Sequence, residues 1–142
     1  GNFLASLDLK EAYLHMPIRS GPFKFLMFVV GSQHFQFQAL TFGHISAHLI
    51  FSKVVCVLAA TLRMKGVHVY SCVDDWLIKT LSFQEAQHSL PGTKELLSSH
   101  GLAFSFKKCI LTPTQKLVHL GAFFDTSRAT LSIPQGVKKS LL

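Results

Sequence analysis

Two aspartates, Asp74 and Asp75, stand side by side between the apolar runs Val69–Val73 and Trp76–Ile78. Aspartate is among the poorest strand formers, so an adjacent pair inside residues suited to a sheet needs a reason. Neighbouring side chains on a regular strand point to opposite faces, and only a tight bend lets both carboxylates converge. A third acid, Asp8, lies near the end of another strand-like segment, Phe3–Leu9. Three carboxylates gathered at strand ends repel one another, and burial pushes their pKa values up. A hard divalent cation such as Mg²⁺ removes that repulsion, and oxygen ligands select it. The chemistry this serves is phosphoryl transfer with two metal ions. One lowers the pKa of an attacking hydroxyl and the other steadies the leaving group. On spacing alone the plainer reading is a polar turn plus an edge-strand acid, because aspartate is common in turns.

The elements that must position these acids follow from hydrophobic period. In Phe3–Leu9, alternation sets Phe3, Ala5, Leu7 and Leu9 on one face, with Leu4, Ser6 and Asp8 on the other. Pro17 and the Ser20-Gly21-Pro22 cluster mark a turn. Phe23–Val30 and His34–Ala39 read as a hairpin joined at Gly31-Ser32. From Ile45 to Lys65 the period changes to that of a helix burying Ala47, Ile50, Phe51, Val54, Val55, Leu58 and Leu62, with Gly66 as its stop. Val67–Val73 and Trp76–Ile78 form a second hairpin with the aspartates at its bend. Phe83–His100 is a further helix, interrupted or restarted at Pro91-Gly92 and ended by Gly101. Short strands are expected near Ala103–Phe106, Lys116–Gly121 and Leu131–Ile133. The order predicts an α+β fold, an antiparallel sheet with helices packed on one face, in a single domain over 1–142.

The 142 residues carry fourteen Lys and Arg against seven Asp and Glu, a net charge of +7, which favours a polyanionic partner such as nucleic acid. Nearly half the residues are apolar, and mean hydropathy is +0.35. Such a greasy chain implies surface normally covered by other parts of a longer polypeptide or by a partner. Cys56, Cys72 and Cys109 lie far apart with no Cys-x-x-Cys pair, which fits a reducing, intracellular compartment rather than a disulfide framework or zinc ribbon. Phe25–Ser52 lacks Asp, Glu, Lys and Arg, yet three His, three Gln and two Gly argue against a membrane span.

Several segments together resemble reverse transcriptases. SLDLKEAYLHMPI (Ser6–Ile18) resembles the first catalytic motif, an acid ending a palm strand with an aromatic five residues later. FQFQALTFGHISAHLIFSKVV (Phe35–Val55) resembles the strand that enters a Leu-Pro-Phe-Gly turn and a long helix. CVDDWLI (Cys72–Ile78) looks like the Tyr-x-Asp-Asp hairpin. GLAFSFKKCIL (Gly101–Leu111) is similar to the later palm motif, and LVHLGAFFD (Leu117–Asp125) to the primer-grip hairpin. The blocks occur in family order. Trp76 after the acids is reminiscent of DIRS-type, tyrosine-recombinase retrotransposons, with gypsy-like elements as second choice.

The resemblance implies a polymerase palm with part of the fingers, without a thumb. Phe23–Leu40 would be the fingers-side hairpin and Leu117–Ile133 the primer-grip strands. It implies that Asp8 and Asp74 are the principal ligands of two Mg²⁺ (or Mn²⁺) ions, with Asp75 supporting. Tyr13 would be the gate against a ribose 2′-hydroxyl, and Phe42 and Gly43 would line the deoxynucleotide pocket. Lys108, or Lys107, would stand near the triphosphate. The implied partners are a primer-template of RNA or DNA, dNTPs, and the remaining fingers, thumb and ribonuclease H regions of a parent polyprotein. No membrane partner is expected. Thr41, His44, His48 and Cys72 depart from the family pattern, so the alternative reading is a catalytically decayed remnant that still binds nucleic acid. A third reading makes His44 and His48 zinc ligands one helical turn apart, but no Glu adjoins His44 and no third ligand is evident.

Overall fold

The computed structural model describes residues 1–19, 21 and 25–134. Strand β1 (Phe3–Asp8) is followed by a 3₁₀ turn (Ala12–His15) and the hairpin β2 (Met27–Val30) and β3 (Gln33–Gln36). Helix α1 (Ala47–Met64), β4 (His68–Cys72), β5 (Asp75–Thr80) and α2 (Phe83–Ser99) come next. The described chain closes with β6 (Ile110–Thr114), β7 (Lys116–His119), β8 (Ala122–Asp125) and β9 (Thr130–Ser132). The main sheet runs β4-β5-β1-β6, all antiparallel, and β7-β8-β9 form a second sheet. This is the α+β arrangement the periodicity predicts.

Alternation along β1 decides what each face does. Ala5, Leu7 and Leu9 join Trp76, Ile78 and Val69 against both helices, in one core with Phe51, Val55, Leu58 and Leu62 of α1 and Leu90 and Leu97 of α2. Leu4, on the opposite face, packs with Leu77 and Leu117 under the second sheet. That second sheet is tied back to the N-terminus, where Gln115 Nε2 donates to the Gly1 carbonyl at 2.9 Å. By length and mean hydropathy (1.6) α1 would suffice to cross a membrane. In the fold one stripe of it is buried on the sheet, while Leu49, Val57 and Met64 stand exposed. Ile50 and Val54, expected on the buried face, are exposed too, because the stripe against the sheet is narrower than the apolar face.

Four expectations need correction. Helix α2 runs unbroken through Pro91. Ala86, Leu90, Thr93 and Leu97 keep one buried stripe across it, and Pro91 lies on the exposed side. There the missing N–H removes one helix bond without disturbing packing, and tertiary burial overrides the local breaker. Ser82 opens this helix by accepting the Glu85 N–H at 3.1 Å, and the Glu85 carboxylate accepts the Leu81 N–H at 2.8 Å. Second, Ala103–Phe106 is not a strand; only Phe104 bridges Leu9. The strand there is β6, which contains Pro113. A sheet edge tolerates proline because no further strand needs its N–H. Third, Lys116–Gly121 stops as a strand at His119. Leu120 and Gly121 both take positive φ (49° and 75°) and turn the chain into β8, which periodicity did not predict. Fourth, the aspartate hairpin bends one residue earlier than expected. Cys72 pairs with Asp75, so the turn is Val73-Asp74 and Asp75 belongs to β5. Of the first expected hairpin and the turn before it, Ser20, Pro22, Phe23 and Lys24 lie outside the described residues.

Candidate active site

Register brings the acids together. The last residue of β1, Asp8, lies directly opposite Asp75, the first residue of β5, and Cys72 lies opposite Asp75 on the other side. Directly opposed residues of antiparallel strands share a face. Asp8, Asp75 and Cys72 therefore form one row across three strands, on the face away from the helices. The bend is clipped to β1 by the Leu9 N–H, which donates to the Asp74 carbonyl at 2.9 Å. Val73 completes that bend with φ +54°, a left-handed conformation costly for a β-branched residue.

The electrostatics follow from this crowding. Burial, the Asp74 charge and the Asp8 charge each push the Asp75 carboxyl up, in that order of rank, while His119 and Lys108 pull it down. His119, buried on β7, is itself lowered by burial, with Asp75 opposing. Asp8 Oδ2 faces the Lys108 ammonium at 3.6 Å, and Asp8 Oδ1 is buried with no hydrogen-bond partner among the described residues. Among the described residues no three His, Cys, Asp or Glu side chains make a ready metal cage. An acid row with mutual repulsion and an unpartnered buried oxygen nevertheless fits Mg²⁺. That ion commonly takes one or two carboxylates and fills its other positions with water and substrate phosphate.

The remaining predicted residues separate into those the fold assembles and those it does not. Tyr13, in the 3₁₀ turn just after β1, meets Phe42 edge-on at 4.9 Å and Phe51 at 5.5 Å between ring centroids. Phe42 is 64% exposed, and Gly43 beside it takes φ +80° with open space where a Cβ would stand. Of the two lysines expected near a triphosphate, Lys108 is the one whose ammonium faces Asp8. The histidine pair does not share a helix face. Helix α1 begins at Ala47, and His44 before it accepts the Ser46 N–H on Nδ1 at 3.2 Å. Two residues beside the acids escaped sequence reasoning as site members. His119 lay inside the quoted Leu117–Asp125 block, but nothing in its spacing pointed to Asp75. Cys109 followed the lysines, and its thiol accepts the Asp8 N–H at 3.3 Å.

The family described as "Reverse transcriptase (RNA-dependent DNA polymerase)" matches residues 1–123. The chain belongs to the reverse-transcriptase family. No curated protein sequence matches it. Among solved structures, a foamy viral protease–reverse transcriptase in complex with double-stranded DNA matches with TM-score 0.86 at 20% identity, over 98% of this chain and 23% of that one. The foamy viral enzyme in complex with an RNA/DNA hybrid matches with TM-score 0.85 at 20% identity, over 98% of this chain and 18% of that one. The native prototype foamy virus protease–reverse transcriptase matches with TM-score 0.76 at 18% identity, over 95% and 17%. This reverse-transcriptase chain thus spans less than a quarter of the length of these three relatives. Its fold is that of the palm with part of the fingers.

Proposed function

We propose that the chain is the catalytic palm of an RNA-directed DNA polymerase, adding deoxynucleotides to a primer 3′-hydroxyl and releasing pyrophosphate. The observation that carries this reading is the register: Asp8 opposite Asp75, Asp74 beside Asp75 in the bend between β4 and β5, and an Asp8 oxygen buried in the row with no partner among the described residues. Asp8 and Asp74 are the principal ligands for two Mg²⁺ ions, with Asp75 supporting and Mn²⁺ as a substitute. When bound, the ions activate the primer hydroxyl and offset charge on the departing pyrophosphate. Lys108 supplies a cation beside Asp8, placed to meet phosphate charge or to donate a proton to pyrophosphate. The Tyr13 ring, held from the side by Phe42 and Phe51, makes a firm wall against a 2′-hydroxyl. Gly43 leaves room for the nucleotide beside Phe42.

The partners are a primer-template of RNA or DNA, dNTPs, and fingers, thumb and ribonuclease H segments of a longer polyprotein. The foamy viral relatives are described with an RNA/DNA hybrid and with double-stranded DNA, and a net charge of +7 suits such a partner. We read β2–β3 as the fingers-side hairpin and β7–β9 as the primer grip. The Asp-Asp-Trp sequence at the bend favours a DIRS-type retroelement over a gypsy-like one, acting inside the cell. The 142 residues alone hold a triphosphate poorly, so they are expected to incorporate little or nothing.

The test is primer extension with Mg²⁺ on the chain joined to fingers and thumb segments. Asp8→Asn or Asp74→Asn is expected to lower extension by about 1,000-fold or more, equivalent to roughly 4 kcal/mol of barrier. Tight primer-template binding with no extension by the unmutated protein, and no response to Asp74→Asn, would mean a decayed nucleic-acid-binding remnant.

A further inference from the structure

Up to Ser6, β1 is flanked on both sides, by β5 and by β6. Ile110, the first residue of β6, pairs with Ser6, so beyond that pairing Asp8 has, among the described residues, a strand partner only in β5. On its other side the connection from α2 crosses Asp8 as a loop, and that loop is zipped onto the chain following β1. The Lys10 N–H donates to the Ala103 carbonyl at 2.8 Å, Phe104 bridges Leu9, and the Ala103 N–H donates to His15 Nε2 at 3.1 Å. Lys94 of α2 lies over the Phe106 ring at 5.4 Å. The two main-chain groups of Asp8 are met from this loop. The Ser105 N–H donates to its carbonyl at 2.8 Å, and its own N–H goes to Cys109 Sγ at 3.3 Å. The Cys109 thiol lies 3.8 Å from the same Asp8 carbonyl, in place to donate to it.

The sulfur thus stands where a strand would present a carbonyl. A thiol is a weak acceptor and a weak donor, and here one atom does both for a single residue. Because Cys109 meets Asp8 with its side chain and not its main chain, the main chain of Cys109 is free to turn. Its N–H donates to the Ser105 carbonyl at 3.2 Å, as does that of Lys108 at 2.9 Å. That turn carries the Lys108 ammonium to Asp8 Oδ2.

We propose that Cys109 is a positioning residue of the carboxylate row. Its thiol clips the main chain of Asp8, and so fixes the direction of the Asp8 carboxylate and the seat of Lys108. It touches neither metal nor substrate and acts through Asp8. The inference rests on the polymerase reading above for its consequence, and on the hydrogen bonds for its geometry.

Both parts can be measured on the 142-residue chain, with Mn²⁺ alone as the probe. Cys109→Ala is expected to weaken Mn²⁺ binding, followed by electron paramagnetic resonance, about fivefold to tenfold, because small displacements of a ligand cost affinity steeply. Cys109→Ser, which keeps a donor and an acceptor, is expected to stay within about twofold of the wild type. Hydrogen exchange at the Asp8 amide is expected to quicken by about tenfold in Cys109→Ala, while that at Leu7 and Ile78 stays as it was. A merely structural thiol would move all three amides together. Unchanged Asp8 exchange and unchanged Mn²⁺ affinity in Cys109→Ala overturn the proposal. If that variant does not fold, Cys109→Val, which fills the space without a polar atom, decides by the same two measurements. Mn²⁺ binding that Asp8→Asn fails to weaken removes the polymerase reading instead, and leaves the amide result to judge the clip.

Discussion

Two of the described hairpins close over two residues with positive φ at the first and not at the second, yet they owe that turn to different causes. In β2–β3 the turn is Gly31-Ser32, with Gly31 at φ +62°; in β4–β5 it is Val73-Asp74, with Val73 at φ +54°. Every residue of β2 and β3 is exposed, and the contacts that hold the hairpin include its own ring stack of Phe28 on Phe35 at 5.5 Å. Such a hairpin must carry its turn in its local sequence, and glycine does so without strain. The other hairpin is nailed down by Val69, Trp76 and Ile78, each at most 1% exposed beneath the helices. Burial there overrules the objection of a β-branched residue. The hairpin that bears the acids is the one whose turn the core imposes.

The contrast can be broken most heavily at Trp76. Trp76→Ala should cost about 3–5 kcal/mol in denaturant unfolding, whereas Phe28→Ala in the exposed hairpin should cost under about 1 kcal/mol. Equal losses would show that the two hairpins are anchored alike. Next comes Gly31→Val, which places a β-branched side chain at positive φ without a core to enforce it. The strain of about 1–3 kcal/mol should open this hairpin locally, seen by NMR as loss of the Phe28–Phe35 ring contact at an unshifted global midpoint. A shifted global midpoint would mean that β2–β3 supports the whole fold.

A pH series sharpens the acid side of the comparison. The Asp75 carboxyl is raised above 3.8 by burial first and then by Asp74. The folded state therefore prefers it protonated, so the penalty is absent below the unfolded value and complete above the folded one. In metal-free buffer the melting temperature of Asp75→Asn should gain on that of the wild type as pH rises from below 3.8, then hold a constant lead. A lead that never varies with pH would mean that Asp75 does not feel its neighbours. The smallest effect belongs to Val73→Gly. Relief of strain is largely offset by the freedom glycine adds to the unfolded chain, leaving a gain of about 0.5–1 kcal/mol in thermal melting.

Much of this was legible beforehand, for local reasons. Alternation in Phe3–Asp8 announced that Asp8 and Leu4 turn away from Ala5, Leu7 and Leu9, and the two cores divide along that line. Gly66 and Gly101, at φ +84° and +81°, ended their helices where predicted. Pro91 misled, because a proline's effect depends on whether its missing N–H was needed, and that depends on burial. His119 and Cys109 were silent because each reaches the acids from a different element.

Residue types and local period by themselves determined helix α1, the ends of α2, the alternating faces of β1 and the existence of two of the hairpins. Only the tertiary structure decided that Asp8 faces Asp75 rather than its neighbour, that Lys108 rather than Lys107 meets Asp8, and that a thiol holds the Asp8 main chain. The physical reason is the one-residue placement of the bend. A strand's side-chain period is two, so a single step exchanges which aspartate shares a face with Asp8. That step was fixed by packing of Trp76 and Ile78 beneath the helices, far from the acids in chemistry and adjacent to them in the chain.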